Sequence, residues 1–497
     1  MRALVLSVLL AAPALAAAQV TFTVDTETDS LDVDPGDGAC ATSTGACSLR
    51  AAIMETNALP GRDVVYVPPG EYGYPYLCPH SGEDPCHDFD IRGDLDLVGS
   101  GTATILGITG DMLNSRILEV HPGATVLVAG VRISGGTGWG VDGGGVLNRG
   151  VLTLREVAVV GNQTLFTGDD GGGIYNTGTL TVERSLIASN RVGHPVGGAE
   201  GNDGGGIYTT GPLRIRNSTI TWNHARFEDD EHRGGDGGGV YATGNAAHVV
   251  IEHSTITRNR AGGHGSAALG GLGGGVYAEG GAAATLLNSV VAGNVPGRVE
   301  SGGADCGGTV SSLGHNVLAG EGDCAASTGD VLVDSSAVFT TVLGSLGDHG
   351  GPTETYALLA GSPAIDAATC VDTDGQPVTL DQRRYVRAAP CDVGAFEFGA
   401  APSAAESPPP APTLVLSVWP NPARAAATIG LMLPEAGHAR VALYDVLGRE
   451  AALIHDGPLA AGAHALALDA SPFPPGVYLV RVEAGGAALT RRLTVGR

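Results

Sequence analysis

Four aspartates stand at one place in the chain's repeated pattern, each directly before a run of three glycines: Asp142, Asp170, Asp203 and Asp236. A fifth glycine triplet, beginning at Gly273, is preceded by Leu272 instead. Carboxylates that recur at one position of a repeated unit fall into a column. Like charges about 5 Å apart repel unless they are protonated, capped by backbone N–H groups or bridged by a cation. Calcium is the cation such a column would take, because it accepts several oxygen ligands from flexible loops; a solvated acidic rim is the alternative. A second set follows the same triplets: Tyr175, Tyr208, Tyr241 and Tyr277, each beside an Ile or Val expected to point inward. An outward row of tyrosines offers flat apolar faces with a polar tip, which suits sugar rings unless neighbouring loops cover it.

Between repeats lie four variable segments, "QTLFTGDD", "RVGHPVGGAEGND", "HARFEDDEHRGGD" and "RAGGHGSAALGGL". They gather Asp169, Asp170, His194, Asp203, His224, Glu228, Asp229, Asp230, Glu231, His232 and Asp236. Loops displayed along a rigid stack are where such a protein places recognition. The stretch "DVDPGDG" from Asp32 to Gly38 is also acidic, but it lacks the spacing of an EF-hand.

What must position these groups is a repeat. "GGGVLNRG", "GGGIYNTG", "GGGIYTTG", "GGGVYATG" and "GGGVYAEG" each lead into a twelve-residue segment, and the five segments align without gaps. Five copies exclude a single phosphate-binding loop. Apolar residues alternate within the twelve. One column reads Leu154, Val182, Ile215, Ile251 and Leu286; another reads Val159, Ile187, Ile220, Ile256 and Val291. A period of two means a strand with one buried face. Serines occupy a column between them (Ser185, Ser218, Ser254, Ser289), and every segment closes on asparagine: Asn162, Asn190, Asn223, Asn259 and Asn294. Asparagine tolerates a left-handed corner, and its amide can bond to the amide of the next layer. Identical residues at identical places in stacked units predict an all-β, right-handed parallel β-helix. The alternation is expected to start near Phe89 and to fade after Gly320.

Composition agrees with turns and strands rather than helices. There are 79 glycines, only 5% aromatic residues and no lysine, so all 27 basic residues are arginine. A formal charge of −25 argues against a nucleic-acid partner. Arg2, the apolar run Ala3 to Leu15 and the small residues of "ALAAAQV" read as a signal peptide cut after Ala18, and no later stretch is long and apolar enough to span a bilayer. Export permits disulfides among Cys40, Cys47, Cys78, Cys86, Cys306, Cys324, Cys370 and Cys391. Pairing sequence neighbours is the simplest of about 105 connectivities, and no C-x-x-C spacing suggests metal.

Three segments resemble known families. "FTVDTETDSLDVDPGDGACATSTGACSLRAAIMETN" resembles the CSLREA-type domain, with Ala51 where that motif has glutamate. "LGDHGGPTETYALLAGSPAIDAATC" and the following "DQRRYVRAAPCDVGAFEF" resemble the choice-of-anchor Q domain, which closes bacterial β-helices. The C-terminal "VWPNPA", "VALYDVLGREA" and "PPGVYLVRVEAGG" are similar to the type IX secretion C-terminal sorting domain. That likeness implies handling by the type IX machinery and delivery across the outer membrane to the cell surface or medium. The expected organisation is therefore a signal peptide (1–18), an N-terminal cap (19–88), the β-helix (89–345), a C-terminal cap (346–398), a Pro/Ala-rich linker (399–413) and a sorting domain (414–497), the last a small antiparallel Ig-like sandwich.

No catalytic residue is assigned. Polygalacturonases on this fold use paired acids, a Gly-His-Gly and an Arg-x-Lys. Gly263 to Gly265 reads GHG and Asp229 adjoins Asp230, but a chance GHG is unsurprising among 79 glycines and 14 histidines, and a chain without lysine cannot supply the last motif. Fold alone cannot supply an activity. The expectation is a non-catalytic adhesion or glycan- or matrix-binding protein. The alternative is a secreted polysaccharide-degrading enzyme, pectate-lyase-like or a glycoside hydrolase, with a diverged site.

Overall fold

The computed structural model describes residues 19–73, 88–107, 115–138, 140–166, 168–193, 202–225, 234–263, 270–297, 303–319, 324–403, 415–419, 423–424, 426–433, 437–459 and 462–496. Three long parallel sheets run through the repeats. One has ten strands, from Thr21–Thr23 through Leu152's strand Val151–Arg155 to Val310–Ser312. One has eight, from Phe89–Ile91 to Cys306–Gly308, and one has ten, from Gly70–Tyr72 to Val331–Val333. A strip of four two-residue strands, Thr137–Gly138, Gln163–Thr164, Arg191–Val192 and His224–Ala225, runs beside them. Each coil visits the sheets in turn, as in Ile174–Asn176, Thr179–Glu183, Leu186–Ala188 and Arg191–Val192. This is the parallel β-helix that the alternation predicts.

The register carries the sequence columns onto one another. Leu154 pairs with Val182, Val182 with Ile215, Ile215 with Ile251 and Ile251 with Leu286. Val159, Ile187, Ile220, Ile256 and Val291 pair in the same manner. All ten side chains are fully buried, so the core is a set of aliphatic files, and each file gains the burial energy of a close-packed interior.

The corner asparagines form the expected ladder. Asn162 Nδ2 donates to Asn190 Oδ1 at 3.0 Å, Asn190 to Asn223 at 3.0 Å, Asn223 to Asn259 at 2.9 Å and Asn259 to Asn294 at 2.9 Å. Asn294 Nδ2 ends the series on Asp305 Oδ1 at 2.8 Å. Each Nδ2 also donates to a backbone carbonyl one coil back, as from Asn223 to Ile187 at 2.8 Å. The serines make a parallel ladder, each hydroxyl accepting from the backbone N–H at the same position of the preceding coil, Val157 for Ser185 and a serine thereafter, as Ser254 Oγ does from Ser218.

One detail of the corner differs from expectation. The left-handed residue is not the asparagine but the one before it: Ser189 (φ 55°), Trp222 (57°) and Arg258 (59°), with Gly161 (71°) and Gly293 (74°) in the same column. The asparagine stays in ordinary backbone because its amide must point along the stack. The third glycine of each triplet makes room for that amide. A Cβ on Gly206 would lie 3.0 Å from the Asn223 amide carbon and 2.5 Å from the Gly239 carbonyl oxygen.

Coiling starts earlier than Phe89. Thr21–Thr23 pairs parallel with Arg62–Val67, and that strand pairs with Asp94–Gly99, so the first rungs lie within residues 19–88. They lack glycine triplets, and parallel pairing with buried Phe22, Val24, Val65 and Val67 builds them. The helix Leu49–Ala58, N-capped by Ser48, packs there. Its buried Glu55 accepts from the N–H groups of Gly36 and Gly38 at 2.5 Å each, so the "DVDPGDG" loop is held down as structure.

Residues 346–398 lie along the flank of the coils. A second left-handed column, Glu156, Arg184, Asn217, His253 and Asn288, receives them coil by coil. Arg384 pairs with Glu156, Thr353 donates to the Arg184 carbonyl at 3.2 Å, and Arg387 donates to Asn217 Oδ1 at 2.9 Å. His253 meets the Val371 carbonyl at 3.0 Å, and Asn288 Nδ2 donates to Thr369 at 3.0 Å. The flank segment thus bonds each turn, through the projecting side chain or, at Arg184, through the backbone carbonyl.

Disulfides join Cys40 to Cys47, Cys306 to Cys324 and Cys370 to Cys391. Cys78, Cys86 and the expected signal peptide lie outside the described residues. The C-terminal segment forms its own core between a three-stranded and a four-stranded antiparallel sheet, the sandwich expected there.

Asn223→Ala should remove one rung, leave the buried Asn190 N–H without its acceptor and take one donor each from the Asn259 oxygen and the Ile187 carbonyl. The expected loss is about 3 kcal/mol, read as a lower denaturation midpoint, whereas removal of an exposed side chain such as that of Thr179 should leave the midpoint nearly unchanged.

Candidate functional site

The aspartate column is real and regular. Asp142 Oδ1 accepts from the Asp170 N–H at 2.9 Å, Asp170 Oδ1 from Asp203 at 2.8 Å, Asp203 Oδ1 from Asp236 at 2.6 Å and Asp236 Oδ1 from Leu272 at 2.7 Å. Leu272 can end the series because it needs only a backbone N–H. One oxygen of each carboxylate is therefore committed to the coil above it. Burial raises the Asp142 carboxyl, and it pushes Asp170 up to about 7 from 3.8, with the neighbouring charges of Asp142 and Asp169 adding to the effect. The N–H bond to Asp170 acts in the opposite sense and does not overcome burial.

The tyrosines stand in the neighbouring column. Tyr175 and Tyr208 stack at 4.8 Å with an interplanar angle of 3°, Tyr208 and Tyr241 at 5.1 Å, and Tyr241 and Tyr277 at 5.9 Å. Coil spacing is also the stacking distance of aromatic rings, so the rings cover one another's faces and turn their edges and hydroxyls outward. Tyr175 and Tyr208 are half-buried, and Tyr241 and Tyr277 are buried. The Tyr241 hydroxyl donates to Glu279 Oε1 at 2.6 Å, and that of Tyr277 to Oε2 at 3.3 Å. Burial, then the Asp142 and Asp170 charges, pushes Tyr175 up to about 12, so it remains a proton donor at neutral pH. The first glycine of each triplet underlies this row: Gly204 has φ 69°, and a Cβ there would lie 2.8 Å from that of Tyr208.

Followed toward the N-terminus, the tyrosine column continues through Leu147 and Glu119 to Asp90. Here the structure assembles a cluster that no motif announces. His121 Nε2 lies 2.6 Å from Asp90 Oδ1 and 3.7 Å from Glu119 Oε1, a set of ligand atoms within reach of one metal ion. Glu119 also pairs with Arg149 at 2.7 Å and faces Arg116 at 3.5 Å. These guanidiniums already balance the carboxylates, so the cluster works as an ion-pair network at the foot of the row.

Of the loop residues, Asp169 accepts from the Gly140 N–H at 2.7 Å, and His224 lies half-buried on the short strip. His194, Glu228, Asp229, Asp230, Glu231 and His232 lie outside the described residues, as does His264 of the GHG triplet. The loop bases are nevertheless fixed. Gln163 pairs with Arg191 and Arg191 with His224 at one end, and the aspartate ladder fixes the other.

A groove of about 430 Å³ opens beside those bases, lined by Gly161, Gln163, Ser189, Arg191, Trp222 and His224. Sequence reasoning passed over it because its residue types do not repeat. A signal was present, however: Gly161 and Gly293 bracket Ser189, Trp222 and Arg258 in one aligned column, which marks a corner with an outward side chain.

Residues 417–496 match the family described as the secretion system C-terminal sorting domain. This type IX domain places the protein on an export route across the outer membrane, to the cell surface or the extracellular space. Among the described residues no helix is long and apolar enough to cross a membrane. Comparison with curated proteins and with solved structures finds no match.

Asp170 gives the column a pH dependence of defined sign. Its folded pKa exceeds the unfolded value of 3.8, so the folded chain holds the proton more tightly, and its contribution to stability is lost as pH rises from about 4 to about 7. Asp170→Asn keeps an oxygen for the Asp203 N–H and removes the charge. Its melting midpoint should exceed that of the unmodified protein near pH 8, by the equivalent of about 4 kcal/mol, and the two should converge near pH 4. Calcium bridging would hold Asp170 ionised, so repeating the scan with calcium reads cation binding as a displacement of the pH dependence to lower pH.

Proposed function

We propose that this exported protein is non-catalytic and binds extracellular polysaccharide, at the cell surface or in the medium, through the loop-bearing flank of its β-helix. The observation that carries this reading is the in-register anchoring of successive loops between the asparagine corner and the glycine triplet. A polymer of repeating sugars is matched by a surface that repeats at a fixed interval along a rigid axis. Loops on such a scaffold are ordered at their bases before any ligand arrives, which lowers the entropic cost of binding.

Other features fit. Tyr175 and Tyr208 bring hydroxyl donors to the same side, in place of the open ring faces that their types alone suggested. Calcium is the ion that would order the acidic loop bases in this reading, with Asp142, Asp170, Asp203 and Asp236 supplying carboxylates. The motif resemblances of residues 22–57 to the CSLREA-type domain and of 346–398 to the choice-of-anchor Q domain accord with a β-helix that works outside the cell.

A panel of polyuronides, sulfated glycans and neutral glycans tests the proposal. The protein should retain one or more members in pull-down and calorimetry while generating neither new reducing ends nor unsaturated products. Turnover of any member would replace this reading with that of a lyase or hydrolase, and absence of binding across the panel would end it.

A further inference from the structure

We infer that the groove at the asparagine corner is a subsite for an acidic pyranose, with Trp222 as the platform on which the ring stacks and Arg191 and His224 as the groups that meet its charge. The inference rests on the polysaccharide-binding reading and names the ligand class and the residues.

Gly161, Ser189, Trp222 and Arg258 occupy the same left-handed position in four successive coils. Glycine or serine suffices to turn the chain there, and both do so in this protein. A bulky side chain in that conformation is uncommon and strained, and Trp222 is also 50% exposed. The asparagine ladder does not draw on the indole, which meets the Tyr356 hydroxyl through the N–H at its edge and leaves its ring faces to other groups.

The surroundings of the indole are those of a stacking site. The Arg258 guanidinium, one coil further on, lies 4.9 Å from the ring centroid and is itself held 3.7 Å from the ring of Phe339. Arg258 thereby supports one face of the indole. The opposite face looks back toward the shorter Ser189 and Gly161, and this is where the 430 Å³ groove lies. That volume falls in the range of small-ligand sites. Unlike the tyrosines, whose faces meet at 4.8 Å to 5.9 Å, Trp222 has no aromatic neighbour on its groove side: the column places serine and glycine there.

Charge selects among sugars. The side wall is the register Gln163, Arg191 and His224, and Arg191 donates to Gln163 Oε1, which holds the guanidinium along the wall. Arg191, His224 and Arg258 around one aromatic ring form a basic patch on a chain whose formal charge is −25. A guanidinium forks onto a carboxylate or sulfate, and an aromatic face takes the C–H face of a pyranose. The two together fit an acidic sugar better than a neutral one. Uronates and sulfated sugars share this chemistry.

Calorimetry on the whole protein with an oligogalacturonate, a sulfated oligosaccharide and a neutral cello-oligosaccharide separates these sources. Binding of either anionic ligand should shift the emission of Trp222, weaken as salt rises and exceed binding of the neutral ligand. Trp222→Ala, which also gives up the indole's contacts with the Tyr356 hydroxyl and Arg258, should fold with a slightly lower melting midpoint and lose about tenfold or more in affinity. Arg191→Gln should remove the preference for the anionic ligands. Anionic ligands that bind both variants as tightly as the parent would overturn the subsite while leaving polysaccharide binding in place. Equal binding of neutral and anionic ligands would overturn the charge assignment, and no binding at all would remove both readings.

Discussion

Everything in this protein is subordinate to one spacing, the distance of about 4.8 Å between hydrogen-bonded coils. At that separation a side chain meets its own counterpart in the next layer before it meets anything else. Aliphatic groups then pack in files and asparagine amides donate in series. Carboxylates have to take the backbone N–H of the following coil or carry the cost of stacked charge. The buried asparagine ladder shows how strictly the rule applies, since it runs through five asparagines and stops only where Asp305 accepts the last N–H. The glycine triplets serve the same rule. They are the places where one coil passes too close to its neighbours for a Cβ, with a first residue that also needs positive φ.

The same spacing explains how the corners are used. Each coil turns through two left-handed corners, and where a corner carries a side chain it is thrown outward. On one side the residues Glu156, Arg184, Asn217, His253 and Asn288 are matched by residues 346–398. Arg387 lies fully inside this joint, bonded to Asn217, Glu397 and the Gly394 carbonyl. A buried guanidinium is tolerable only with such complete pairing. At the opposite corner the same segment reaches only the edge of Trp222, through the Tyr356 hydroxyl, and the groove lies open beside Gly161, Ser189 and the indole.

A contrast between columns follows. Uniform columns satisfy themselves: the tyrosines cover one another's faces, the aspartates cap the next N–H, and the serines and asparagines do likewise. Mixed columns cannot, because a tryptophan beside a serine leaves a face and a space. In a solenoid the positions that break the repeat are therefore the better places to look for recognition, and the positions that keep it are the better places to look for stability.

The repeat was legible in the sequence because the stacking rule forces like residues into like positions. The aliphatic files, the asparagine ladder, the aspartate column and the tyrosine row could all be read from alignment of five segments, and the C-terminal motifs gave the export route. What alignment could not decide was direction and distance. Tyrosine rings might have faced solvent or each other, and only coil spacing equal to stacking distance turned them together. Backbone dihedrals moved the left-handed turn from the asparagine to the residue before it. The lie of residues 346–398 along the flank, the Asp90–Glu119–His121 cluster and the Trp222 groove join residues that are far apart in sequence or differ from coil to coil. Periodicity carries no record of such contacts, and folding alone brings them into reach.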